Sequence, residues 1–253
     1  MGALFLVATP IGNLSDISSR ALDTLRQADL IACEDTRQTM KLLSHFGIQK
    51  PLTSYHEFNE REKAVELADK IENGENIALV SDAGTPAISD PGFRLVRLCR
   101  ERGLQVVSIP GANAAITALS ASGLPSDQFL FIGFLPPRKT ARREHLDTLR
   151  TFRGTLIFYE GPHRIQAALE DIQDVFGDRD VCIGRELTKL HEEYLFGKLS
   201  EVRQRVKELG EFVIVVGGFT GPDDTAPREL TREGVLKTLG ISRNQLYELF
   251  FKK

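Results

Sequence analysis

The chain has 253 residues, 42% of them hydrophobic and 26% charged, and a formal net charge of −3. That length holds one large core or two small ones, and the near-neutral balance means that any nucleic-acid contact has to rest on a local patch. No apolar run approaches the ~20 residues that span a bilayer, and Cys33, Cys99 and Cys182 are too scattered for a disulfide framework or a zinc site, which points to a reducing cytoplasm and no metal.

The apolar stretch Met1–Ala8 has no basic region ahead of it, so Ala3–Ala8 reads as a first strand and not as a leader. Ser15–Ala28 predicts a helix with Ile17, Ala21, Leu22 and Leu25 on one face. Leu30–Cys33 predicts a strand, and Arg37–Phe46 a helix stopped by Gly47. Asn59–Asn73 is a further helix, Ile77–Ser81 a strand, Gly92–Arg102 a helix and Gln105–Ile109 a strand. This alternation predicts a largely parallel sheet with helical crossovers over a first domain, residues 1–113.

Ala112–Ser122 is a helix of small residues, suited to close packing on backbone or ligand. It opens a second domain, residues 114–220, with expected strands Phe129–Leu135, Thr155–Tyr159, Asp180–Arg185, Tyr194–Lys198 and Glu211–Gly217. His163–Phe176 and Ser200–Leu209 are its expected helices, so the sheet should be mixed. The basic segment Pro136–Arg143 reads as a projecting, semi-rigid loop. Residues 221–253 form an expected extension with short helices Glu229–Leu239 and Arg243–Phe250.

Four Gly-, Pro-, Asp- and Thr-rich loops follow strands of the first domain: Thr9–Asn13, Glu34–Arg37, Asp82–Gly92 and Gly111–Asn113. Ligands of open α/β sheets gather at the carboxyl ends of strands, so the four loops outline one crevice. Neither GxGxxG nor GxxxxGK[ST] occurs, which removes the usual dinucleotide and P-loop chemistry. The stiff, small-residue loop Asp82–Gly92 suits an adenosine-type ligand, although a stiff turn with Asp caps has the same pattern. Asp35 and Asp82 either orient a ribose or ammonium or simply cap helices.

The second domain gathers a polar cluster: Tyr159, Glu160, His163 and Arg164, then Arg185, Glu186, Thr188 and Lys189, then His191, Glu192 and Glu193. A lined cleft and a salt-bridged surface both fit it. Arg138, Lys139, Arg142 and Arg143 place four cations within six residues, a density that favours phosphate contact unless the run is a solvated face.

The motifs VATPIGNLSDISSRAL, EDTRQTMKLL, SYHEFNE, ALVSDAGTPAISDPG, PGANAAITALSASGLPSDQFLFIGFLP, TLIFYEGPHRI and GRELTKLHEE closely resemble the ribosomal RNA small subunit methyltransferase I family. That family belongs to the tetrapyrrole-methylase class, class III of the S-adenosylmethionine methyltransferases. The resemblance runs in continuous order to about Gly218. It implies two α/β domains with a cofactor cleft between them, a homodimer, and 2′-O-methylation of a cytidine in the decoding centre of 16S rRNA in the small ribosomal subunit. It implies that Pro10, Thr85, Ile88, Asn113, Ala114, Tyr159 and Gly184 line S-adenosylmethionine, with Asp82 beside them. Where the family usually has ESPHR, this chain carries Gly161 in place of the serine.

Methyl transfer requires a positioned 2′-oxygen and removal of its proton, and a sulfonium needs no metal to activate it. Glu186 and Lys189 are the favoured candidates for proton handling, ahead of Glu192 and His163. Arg185 and Arg164 are candidates to hold a phosphate or a developing oxyanion. Arg138, Lys139, Arg142, Arg143 and Arg164 are the candidate RNA contacts. The competing readings are a sister enzyme acting on a precorrin or on diphthine, a non-catalytic ribosome assembly factor, and a nicotinamide oxidoreductase. The basic segment and EGPHR argue against the first, and the missing GxGxxG against the last.

Overall fold

The computed structural model describes residues 2–221. Alternating apolar strands and amphipathic helices build β1 (Ala3–Val7), α1 (Ser19–Gln27), β2 (Leu30–Cys33), α2 (Thr36–His45), β3 (Leu52–Ser54), α3 (Glu60–Glu72), β4 (Ile77–Val80), α4 (Phe93–Glu101) and β5 (Gln105–Ile109). The chain continues through α5 (Ala114–Ala121), β6 (Phe129–Phe134), α6 (Lys139–Leu149), β7 (Thr155–Glu160) and α7 (Ile165–Phe176). The last elements among the described residues are β8 (Asp180–Arg185), β9 (Glu193–Lys198), α8 (Leu199–Arg205) and β10 (Phe212–Val216). Residues through Gly218 pack as one unit, and Phe219 begins another. The expected helices Glu229–Leu239 and Arg243–Phe250 lie outside the described residues.

The first sheet has the order β3-β2-β4-β1-β5 and is parallel throughout. All four residues of β4 are buried, as a strand covered on both faces requires. One layer packs Leu67 and Ile71 of α3 and Leu95 of α4 against Leu4 and Leu79, and the opposite layer packs Leu25 and Leu43 against Val7 and Ile31. The second sheet, β6-β7-β10-β8-β9, is mixed: β6 runs parallel to β7, and β10 lies antiparallel between β7 and β8. Ala115 and Ala118 let α5 lie directly on this sheet against Ile157, Val213 and Val215, which accounts for its run of small residues.

Three expectations are corrected. The helix expected from Ser15 divides into a 3-10 turn, Leu14–Asp16, and α1, because Ser18 accepts the Ala21 amide and restarts the helix. β3 was not expected; it is three half-buried residues at a sheet edge, too short to show alternation. The Pro136–Arg143 segment is not a projecting loop. Helix α6 begins at Lys139, and Arg142 and Leu146, four residues apart, face the interior.

Candidate active site

β1 and β4 are neighbours, so the loops that follow them lie side by side. Thr9 and Gly84 exchange backbone hydrogen bonds at 2.9 and 3.1 Å, and the Thr9 hydroxyl donates to the Ser81 carbonyl at 3.0 Å. Thr85 Oγ1 donates to the Ala112 carbonyl at 3.1 Å and ties in the loop after β5. Three strand-end loops thereby form one floor. Above it opens a cavity of about 460 Å³ whose remaining walls come from β6, β7, β10 and the turn after β8.

Asp82, Thr85, Ile88, Asn113, Ala114 and Tyr159 all line this cavity. Pro10 is buried and does not line the cavity, while its neighbour Ile11 does. Gly184 lies beneath the wall residue Leu187, whose Cδ2 would stand 2.8 Å from a Cβ built on the glycine. Asn113 Oδ1 accepts the Ile116 amide at 3.2 Å and caps α5. The Tyr159 hydroxyl accepts the Ala115 amide at 3.1 Å, so the first turn of α5 is held by the second sheet.

Carboxylates supply the charge of the cavity. Burial pushes the Asp90 carboxyl up to about 6, the charges of Glu34 and Asp82 add to the effect, and a hydrogen bond from Ser81 opposes it. Glu34 is also raised, first by burial and then by Asp82. Sequence reasoning missed Asp90: SDAG and SDPG sit in one loop, and nothing local separates their aspartates. Asp35 takes its helix-capping role, accepting the Arg37 amide at 2.8 Å, and the Arg37 hydrogen bonds draw it down to about 2.

The polar turn after β8 stands beside the cavity. Glu186 Oε1 accepts from Lys189 Nζ at 2.8 Å and from the Glu211 amide at 2.9 Å, while Lys189 Nζ also meets Glu211 Oε2 at 2.9 Å. The Lys189 hydrogen bond holds Glu186 below its ordinary value. Burial pulls Lys189 down, but Glu186 and Glu211 outweigh it and hold the ammonium above its ordinary value. Arg185 is buried, donating to Glu193 at 2.9 Å and to the Leu209 carbonyl at 3.4 Å. Leu187 and Glu211 line the cavity; Arg185, Glu186 and Lys189 are not among its lining residues.

Strain concentrates in the same place. The non-glycine residues with left-handed backbone, among those described, are Ala87, Ser89, Glu186 and Thr188 (φ 66°, 61°, 51° and 65°). They occupy the two loops that meet at the cavity, a distribution typical of functional sites. Gly210 permits one of these bends: its φ is +87°, and a Cβ there would stand 2.5 Å from Glu186 Cγ.

Most of the expected RNA-contacting cations are committed within the protein. Arg142 is a correction: its side chain is 5% exposed and bonds Asp171 at 2.8 Å through Nε and at 2.6 Å through a terminal nitrogen. Arg143 reaches Asp174 at 2.7 Å, and Lys139 stands 3.9 Å from Asp171. Arg164 is turned inward, donating to the Leu135 carbonyl and, at 3.0 Å, to the buried Glu160. Arg138 is exposed and makes no ion pair among the described residues. Among the described residues, no His, Cys, Asp and Glu cluster could hold a metal and no helix is long and apolar enough to cross a membrane.

Residues 3–203 match the family described as Tetrapyrrole (Corrin/Porphyrin) Methylases. The chain is 54% identical to ribosomal RNA small subunit methyltransferase I of Halalkalibacterium halodurans, over 86% of this chain and 76% of that protein. It is 49% identical to the protein of that name from Escherichia coli O157:H7, over 97% and 86% of the two chains. The fold is shared with a diphthine synthase (TM-score 0.65, 14% identity, 85% of this chain and 90% of that one). It is shared too with uroporphyrin-III C-methyl transferase from Thermus thermophilus complexed with S-adenyl homocysteine (TM-score 0.59, 17% identity, 85% and 97%). The strand-end cavity, its position between the two sheets and the identity to these relatives lead to one assignment: the chain belongs to the ribosomal RNA small subunit methyltransferase I family of the tetrapyrrole methylases.

Proposed function

We propose that the protein transfers a methyl group from S-adenosylmethionine to the 2′-oxygen of a cytidine ribose in the decoding centre of bacterial 16S rRNA. The observation that carries the reading is the cavity: about 460 Å³, roofed by the second sheet, and carrying Asp82 and Asp90 as its charged wall residues from the first. A sulfonium nucleoside fits it, because carboxylates offset a cation and the close-set backbone of the floor suits a nucleoside. When bound, the cofactor supplies an already activated methyl group. Asp82 and Asp90 would face its positive charge. Thr85, Ile88, Asn113, Ala114 and Tyr159 would shape its pocket, with Pro10 and Gly184 supporting them from behind.

Glu186 and Lys189 hold one another in their charged forms, so neither is a proton acceptor matched to neutral pH. Lys189 acts in this reading as a fixed cation beside the reacting ribose, with Glu186 orienting it, and Arg185 fixes the turn through Glu193. Arg138 and Lys139 supply phosphate contacts at the start of α6, with Arg143 flanking them. Assembly as a homodimer and residence in the cytoplasm belong to the same reading; sedimentation of the purified protein checks the first.

Small ribosomal subunits lacking the modification, incubated with the protein and methyl-labelled cofactor, should take label into 16S rRNA. Nuclease digestion and mass spectrometry should place it on a cytidine ribose. Label on a base, or none in the rRNA, sinks the proposal.

A further inference from the structure

Phe134 stands at the end of β6 with 58% of its surface exposed, yet it lines the cavity. Its position follows from an irregularity in the strand. Side chains alternate along a regular strand, so residues 131 and 134 should face opposite sides. The β6–β7 register shifts between Phe131 and Gly133, and Gly133 adopts a φ of +74°. The shift brings both rings against Tyr159, Phe131 at 4.9 Å and Phe134 at 5.7 Å between centroids, each edge-to-face. Ile132 and Leu135 pack into the core instead. Bulges of this kind re-aim side chains beside active sites. Gly133 also permits close approach across the cleft, since a Cβ there would meet Ser89 Oγ at 3.0 Å. The fold thus spends a distorted strand on turning one aromatic ring toward the mouth of the cavity, where it remains largely uncovered.

We propose that Phe134 is the stacking platform for the unpaired base of the nucleotide whose ribose is methylated. This rests on the RNA-methylation reading above. A ribose hydroxyl can reach down into the cavity only if its nucleotide leaves the helix stack, and the base attached to that ribose then lies at the mouth with both faces bare. An aromatic face restores the lost stacking and tolerates any base identity. Arg138, exposed and four residues beyond Phe134, would take the adjoining phosphate in this reading. Phe134 is therefore a substrate-positioning residue, separate from the floor that takes the cofactor.

The full chain carrying Phe134→Leu keeps an apolar side chain and loses the ring; Phe134→Tyr keeps the ring. Calorimetry with S-adenosylhomocysteine should give all three proteins the same affinity within about twofold, while kcat/KM for undermethylated small subunits should fall roughly 10- to 100-fold in Phe134→Leu and recover in Phe134→Tyr. Unchanged kcat/KM in Phe134→Leu overturns the inference. So does a parallel loss of S-adenosylhomocysteine affinity, which would make the ring part of the cofactor pocket, or a failure of tyrosine to rescue at equal melting temperature. If the unsubstituted protein binds S-adenosylhomocysteine but labels no rRNA, the methylation reading has failed and the base-stacking role falls with it.

Discussion

Lys189 Nζ lies 2.8 Å from Glu186 Oε1, and each group holds the other in its charged form. A lysine held above its ordinary value does not titrate between pH 6 and 9. Lys189→Met should therefore lower kcat/KM for rRNA by roughly 10- to 100-fold, the scale of one removed electrostatic stabiliser, without changing the shape of the pH–rate profile. Loss, in the variant, of a rise in rate toward alkaline pH would make Lys189 the proton acceptor instead.

Asp90 should mark the acid side of that profile. Its carboxyl is raised to about 6 in the folded protein, so the fold favours the protonated form. The resulting stabilisation is complete below the ordinary carboxylate range and is lost as pH rises through about 6. Unliganded Asp90→Asn should accordingly melt above the unsubstituted protein at pH 7.5, with the gap closing toward pH 4. Affinity for the cationic cofactor, measured by calorimetry, should weaken below pH 6 in the unsubstituted protein and stay flat in the variant.

Asp171 separates structural from surface charge. It is 1% exposed and carries the buried Arg142, so Asp171→Ala leaves a guanidinium without its partner and should cost about 3–5 kcal/mol in urea denaturation. Arg138→Ala should cost less than about 0.5 kcal/mol. It should instead reduce the salt dependence of RNA binding, with the log–log slope falling by about one.

Gly210→Ala tests the strained turn. The methyl group would meet Glu186 Cγ at 2.5 Å on a backbone with φ +87°, and a loss of about 1–3 kcal/mol is expected. Methyl transfer should fall with it, because Glu186 cannot keep both Lys189 and the Glu211 amide once its side chain is displaced.

The parallel first sheet and mixed second sheet were legible because strands such as Ile77–Val80 and Phe212–Val216 are continuous buried runs. The strand-end loops were legible as the walls of one cavity because parallel topology dictates where loops emerge. What escaped depended on distant partners. Arg142 and Arg138 are alike in a sequence, and only the Asp171 carboxylate, 29 positions on, makes one interior and leaves the other in solvent. Asp90 and Asp82 are equally alike until burial separates them. Phe134 reads as an ordinary strand residue because a bulge has no signature beyond one glycine.

Thr9 and Gly84, 75 positions apart in the chain and linked through both of their backbone groups, brace the ends of two neighbouring strands. Because Thr9 also grips Ser81, neither loop can tilt without the other. The lower half of the pocket is consequently a mould, already cast before a ligand arrives. Any fitting to a guest falls to the upper half, where β6, which carries the wall residue Phe134, ends its sheet with one side unpaired.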